Sequence, residues 1–282
     1  MSAHRLAWVW GAALILAVGA GMALNRLGVD RAIPAAALPA DPVVVIGSSL
    51  MAHAVTSHGD GNDSLLGDGR AHVRWAIGAI NEAQTLDLVA GALQRGARTV
   101  LVEVHPLAFD FAFATRASEL QPLTLANDFR RQSRQAASGL RHLLNLSPPP
   151  APLQATLFPE PGNLDRLFRV SPRMLALFYP LHLREPADPM AWAALVQRAQ
   201  QQDAAIILLA PPRSRSAADS MGPAAGEALQ RHLAARAQEL GVPMFQPGPV
   251  WPDDHFVDHA HMNRRGRARF MQELARWRAG AP

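Results

Sequence analysis

The chain of 282 residues contains no cysteine, which excludes a disulfide framework and a thiolate-held metal. That absence does not fix a compartment, though it suits an oxidising one, where a stray thiol is a liability. Lysine is missing as well, so every basic side chain is arginine. Beside so much alanine, this reads as codon bias in a GC-rich genome. No sign of charge dominates: the formal net charge is +4. The arginines are scattered, and only Arg264, Arg265, Arg267 and Arg269 cluster. One helix terminus of that kind is a solvated face, not a nucleic-acid surface, and no nucleic-acid partner is expected. No internal repeat is present.

What is present begins with apolar surface. At 49% hydrophobic residues, the chain can bury the core of one globular domain. Residues 1–5 form a short basic lead, and Leu6 to Leu24 is an apolar stretch without a charge. Its 19 residues are about enough to span a bilayer at ~1.5 Å per residue. A cleaved signal peptide competes, with small residues around Gly21 and Ala23 suiting a peptidase. The stretch outruns a usual signal core and meets Asn25 and Arg26, which favours an uncleaved transmembrane anchor. Arg5 faces Arg26 and Arg31 across the span, so the positive-inside rule discriminates little. A signal-anchor translocates the chain on its carboxyl side, which puts the domain in the periplasm, held to the inner (cytoplasmic) membrane by a single pass. Residues 25–41 read as a linker and 42–282 as the domain.

Beyond the linker, strands alternate with helices. Buried-type strands are expected at Pro42 to Ile46, His72 to Ile77, Thr99 to Val104 and Ala204 to Ala210, with a short last one at Pro243 to Gln246. Helices are expected from Glu82 to Arg95, stopped by Gly96, and from Pro189 to Gln202, capped by Asp188. Two more run from Ala224 to Leu240, ended by Gly241, and from Asn263 to Arg278. This rhythm predicts an α/β domain with a parallel sheet covered on both faces. A Pro-rich stretch of about 116–186 breaks it and reads as an irregular insertion or lid.

Functional side chains in such a sheet gather beyond the carboxyl ends of the strands. Ser49 stands there, in Gly47-Ser48-Ser49-Leu50 after the first strand. Its hydroxyl needs a base, and His261 can serve, with Asp258 three residues earlier to orient the ring. Taken alone, Ser48 and Ser49 also suit the cap of a following helix. Asp253, Asp254, His255, Asp258, His259 and His261 offer metal donors, but no H-E-x-x-H or comparable spacing joins them, so no metal and no cofactor is expected. Asp60 to Ser64 hints at a calcium loop, yet Leu65 stands where an EF-hand needs glycine. His53 and His58 read as loop histidines that could line an acceptor groove. Trp251 and Phe256 read as packing for the base loop.

The Gly47-Ser48-Ser49-Leu50 segment resembles block I of the SGNH/GDSL hydrolases, with Ser48 where aspartate is usual. Phe256 to Gly266, with Asp258, His261 and Asn263, resembles their final block, and Ile77-Gly78-Ala79 resembles block II. The resemblance implies a three-layer α/β/α fold with a flavodoxin-like parallel sheet. It also implies an oxyanion hole from the Ser49 and Gly78 N–H groups. Block III ends in asparagine in those hydrolases, whereas Glu103-Val104-His105 stands here, leaving His105 as a substitute donor. The serine-serine start, the anchor and the missing asparagine are similar to DltD-like and alginate-acetylation-type SGNH-like proteins. From that likeness comes the expectation of O-acyl (acetyl) transfer to an envelope polysaccharide beside a membrane-bound O-acyltransferase. An SGNH carboxylesterase or deacetylase acting on an acyl ester, and an inactive scaffold for an acyltransferase, are the competing expectations.

Overall fold

The computed structural model describes residues 38–78, 80–111 and 160–280, all within one compact unit. The expected anchor at 6–24 and residues 116–159 of the insertion lie outside the described residues, as does most of the linker. Among the described residues, no helix is long and apolar enough to cross a membrane.

In chain order the strands are β1 (Val43–Gly47), β2 (His58–Gly59), β3 (His72–Ala76), β4 (Thr99–Glu103) and β5 (Phe109–Asp110). They continue with β6 (His182–Leu183), β7 (Ala205–Leu209), β8 (Arg213–Ser214), β9 (Met244–Phe245) and β10 (Val250–Trp251). The first four helices are α1 (Ser49–Ala54), α2 (Glu82–Gln94), α3 (His105–Ala108) and α4 (Pro172–Phe178). The last four are α5 (Pro189–Gln201), α6 (Arg215–Met221), α7 (Pro223–Leu240) and α8 (Arg264–Arg278).

The main sheet runs β2-β3-β1-β4-β7-β9. All its pairings are parallel except that of β2, which caps the β3 edge in antiparallel. Every residue of β1 is buried, as a Val-Val-Val-Ile run demands when both faces are covered. Val43, Val45, Leu101, Ile207, Leu209 and Phe245 join Met51 of α1 with Phe270 and Leu274 of α8 in one core. Alternate positions face the other way: Val44, Ile46, Val100, Val102, Ile206 and Leu208 are buried too, toward the layer in which α2, α5 and α7 touch. The result is the expected α/β domain with a mostly parallel central sheet.

Local signals set the helix ends. Asn81 and Gln84 form a capping box at α2, with bonds of 2.9 and 3.1 Å. Asp188 accepts from the Ala191 N–H at 2.9 Å with proline at the first position of α5. Gly241 ends α7 at φ +63, a left-handed turn that favours glycine.

The insertion departs from its expected irregularity where it is described. Residues 160–186 include α4 and β6, and β6 pairs with β5 in antiparallel. Glu82 holds the return of the chain: its buried carboxylate accepts from the Ala187 and Asp188 N–H groups and Trp192 Nε1, and Arg184 lies at 3.3 Å. Four donors converge on one side chain, so a stretch with little regular structure is still tied down.

The sheet also fixes where a site can form. The chain passes from β1 to β3 on one side, then crosses to β4 on the other. Strand order reverses between β1 and β4, and the crevice at their carboxyl ends is the position that open α/β sheets use.

Candidate active site

Ser48 and Ser49 divide two tasks that compete in the bare sequence. Ser48 is the N-cap of α1, its hydroxyl accepting from the Leu50 N–H at 3.1 Å. Ser49, the first helical residue, is left to point outward. Its Oγ lies 2.8 Å from His261 Nε2. His261 Nδ1 lies 2.8 and 3.0 Å from the two oxygens of Asp258. A carboxylate only accepts, so Nδ1 carries the proton and Nε2 is free to receive the one on Ser49. Hydroxyl, imidazole and carboxylate thus form a chain across 212 residues of sequence.

Asp258 is held for this position by its own loop. One oxygen accepts from the Ala260 and His261 N–H groups at 3.0 and 2.9 Å. Burial alone would raise its pKa, but the His261 ring and those two amides hold it well below the usual carboxylate range. The loop closes on itself through Val257 N–H to His261 O at 2.8 Å. Asn263 ends it as the N-cap of α8, accepting from Gly266 N–H at 3.0 Å. A side chain at Gly266 would strike the His255 carbonyl, so this tight turn requires glycine.

The expected oxyanion donors are the Ser49 and Gly78 N–H groups and His105. The Ser49 N–H opens α1, and no described group accepts from it. Ala76 pairs with Gly47 and Ile77 N–H reaches Gly47 O at 2.9 Å, so Gly78 sits level with the Ser48–Ser49 turn. Ala79 lies outside the described residues. His105 turns Nδ1 toward Glu103 Oε1 at 3.5 Å. A carboxylate only accepts, so in the neutral ring the proton sits on Nδ1 and Nε2 has none to give to an oxyanion, against the expectation of a substitute donor.

Sequence reasoning missed several supports. Glu103, fully buried, accepts from the Ser48 N–H at 2.6 Å and from its hydroxyl at 3.0 Å. Burial would raise its pKa, yet His105 and the two Ser48 donors hold it below the ordinary value. An acid ending an apolar strand was the available signal. His53 belongs to α1, not to a loop, and donates Nδ1–H to Met262 O at 2.8 Å. Its ring centroid is 4.8 Å from that of His261, and burial pushes its pKa down to about 4. His58, by contrast, is exposed at the sheet edge. Trp251 and Phe256 are buried against the base loop, as expected.

The far end of α1 is clamped. Arg267 of α8 donates to the Ala52 and His53 carbonyls at 2.7 and 3.0 Å, and Arg74 of β3 donates to Ala52 at 2.9 Å and to Val55. Both guanidiniums meet Glu160. Carbonyls that a six-residue helix cannot satisfy internally are thereby bonded, and cations sit at its negative end.

On the side of α4, an aromatic group borders the triad. His259 packs on Phe178 at 4.3 Å and on Phe111 at 5.9 Å, and Tyr179 Oη lies 3.2 Å from its Nδ1. Burial lowers the His259 pKa to about 4, so the ring is neutral near neutral pH.

No family model and no curated protein matches the chain. Among solved structures it is similar to a GDSL-like lipase from Bacteroides thetaiotaomicron, with 14% identity, a TM-score of 0.41 and coverage of 90% of this chain and 95% of that one. It is likewise similar to a catalytic mutant of an acetylxylan esterase from Geobacillus stearothermophilus, with 12% identity, a TM-score of 0.42 and coverage of 86% and 95%.

Proposed function

We propose that this protein is a serine-dependent acyl-ester enzyme, with Ser49 as nucleophile, His261 as general base and acid, and Asp258 as the partner that orients the ring. The observation that carries the proposal is the unbroken contact from Ser49 Oγ to His261 Nε2 and from Nδ1 to Asp258.

Ser49 Oγ attacks the ester carbonyl carbon while its proton passes to His261 Nε2. Asp258, ionised well into the acid range, stabilises the imidazolium. The Ser49 and Gly78 N–H groups take the negative oxygen. Collapse breaks the bond to the alcohol oxygen, which leaves with the proton from His261. Water, or the hydroxyl of an acceptor, then gives its proton to His261 and attacks the acyl group; collapse breaks the bond to Ser49 Oγ, which takes the proton back from His261. The neutral state of His53 keeps a second positive charge away from the imidazolium.

Hydrolysis of O-acyl groups, in the manner of a deacetylase, needs nothing beyond these residues. Transfer to an envelope polysaccharide beside a membrane-bound O-acyltransferase, from an anchored periplasmic domain, needs only a different second nucleophile and is carried forward as the finer proposal. A fluorophosphonate probe should label Ser49 in the intact protein and fail to label His261→Ala. Absence of label in the intact protein would sink the catalytic reading. Partition of a p-nitrophenyl acetate acyl group between water and an added glycan separates hydrolysis from transfer.

A further inference from the structure

A cavity of about 700 Å³ opens beside the site, between α6, α7 and the turn before β10. Arg213 is part of its lining, and the same residue lines a small recess bounded by Leu50 and His105. That shared residue links the cavity to the turn that carries Ser49.

Arg213 is unusual in its setting. It is only 6% exposed, yet no carboxylate of the described residues lies within ion-pair distance. Its guanidinium carbon sits 5.0 Å from the centroid of Phe109 and 5.2 Å from that of Phe111, and it also faces the Tyr179 hydroxyl. Rings and one hydroxyl support a cation but do not neutralise it. A buried charge without a counterion is costly unless a partner arrives. At the cavity mouth Arg215 is exposed and has no ion pair among the described residues, whereas Arg231 is offset by Glu227 at 3.8 Å. Asp219 at the rim is the remaining acid. Of the charged lining, Arg213 is buried, whereas Asp219 and Glu227 are exposed.

We propose that this cavity is a binding subsite for an anionic group, a carboxylate or a phosphate, borne on the alcohol side of the ester, with Arg213 as its buried cation. The planar fork of arginine suits either oxyanion through two parallel bonds. Placing the anion on the ester rests on Ser49 being the nucleophile; the anion site by itself does not.

The test is calorimetric titration of the intact protein with trigalacturonate, with the neutral galactotriose and with inorganic phosphate. Trigalacturonate or phosphate is expected to bind at least about tenfold more tightly than galactotriose, the scale of one charge-assisted pair. Tighter binding of the uronate assigns a carboxylate; tighter binding of phosphate assigns a phosphate ester. Arg213→Gln should abolish the preference. If that variant does not fold, Arg213→Lys should keep the preference while losing at least about threefold in affinity, because its point charge lacks the fork. Equal binding of charged and neutral probes, or a preference that survives Arg213→Gln or is undiminished in Arg213→Lys, overturns the subsite. Fluorophosphonate labelling of the same preparation separates the two proposals. Anion preference without label removes the nucleophile but leaves the subsite, and label without anion preference does the reverse.

Discussion

Glu103 and Ser48 are joined twice, by the Ser48 N–H and by its hydroxyl, in a region that water does not reach. This pairing makes serine at position 48 and glutamate at position 103 a single choice. An aspartate at position 48 would set a second carboxylate against Glu103 in a dry pocket, where like charges are costly. Serine supplies donors instead, and still caps α1.

Ser48→Asp should therefore lower stability by about 3 kcal/mol, in the range for an uncompensated buried charge. Adding Glu103→Gln should recover more than half of that loss. Urea unfolding midpoints of the single and double variants check it, and simple additivity would show that the two positions are not coupled.

Removal of the nucleophile or base should be close to all-or-none. Ser49→Ala and His261→Ala are each expected to lower kcat on p-nitrophenyl acetate by at least ~10³, and Asp258→Asn by ~10³–10⁴ through loss of the correct tautomer. Circular dichroism should remain that of the parent protein, since these side chains are only part-buried.

Acid should destabilise the fold in two stages. His53 and His259 have folded pKa values depressed to about 4 from 6.5. The unfolded chain thus binds protons first, and stability falls as pH drops from about 6.5 to 4. Each ring contributes on the order of 2–3 kcal/mol to that fall. Asp258, depressed still further, adds its loss only below about pH 4, its unfolded range. His53→Gln should flatten the upper stage in a plot of unfolding free energy against pH; an unchanged slope would contradict the assignment.

Arg267→Ala should cost about 2–4 kcal/mol, because it strips donors from two buried carbonyls of α1 and a partner from Glu160. Differential hydrogen exchange is the sharper measurement: protection should drop in 49–55 before it drops in β1. Uniform loss across both would mean that the clamp acts on the whole domain instead.

A methyl group at position 47 would lie 2.6 Å from Glu103 Oε2 and press on Met51. Gly47→Ala is expected to cost about 1–3 kcal/mol by overpacking and to displace the Ser48–Ser49 turn. A fall in fluorophosphonate labelling rate, measured where the variant is still fully folded, checks the displacement.

Much of this arrangement is legible in the sequence because its signals are local. The Val43–Ile46 run, the caps at Asp188 and Asn263, and Gly241 each dictate an element through their own chemistry, and those elements lie within a residue or two of expectation. The contact between Ser49 and His261 is an expectation drawn from order along the chain and from resemblance. The features that escape a sequence reading are tertiary. Nothing near Arg74 says that it reaches Val55, nor does position 82 announce that its carboxylate will gather donors from 184 to 192. His53 reads as a loop residue because α1 has six residues, too few for periodicity to speak.

The arginine clamp on α1 has a temporal consequence. One of its two guanidiniums belongs to the last helix of the domain, as does the cap that closes the base loop. While the chain is still emerging, the serine segment therefore lacks both its anchor and its proton acceptor. On the proposed reading, reactivity should appear abruptly once α8 has been made, and a molecule trimmed before Asn263 would be inert toward esters around it.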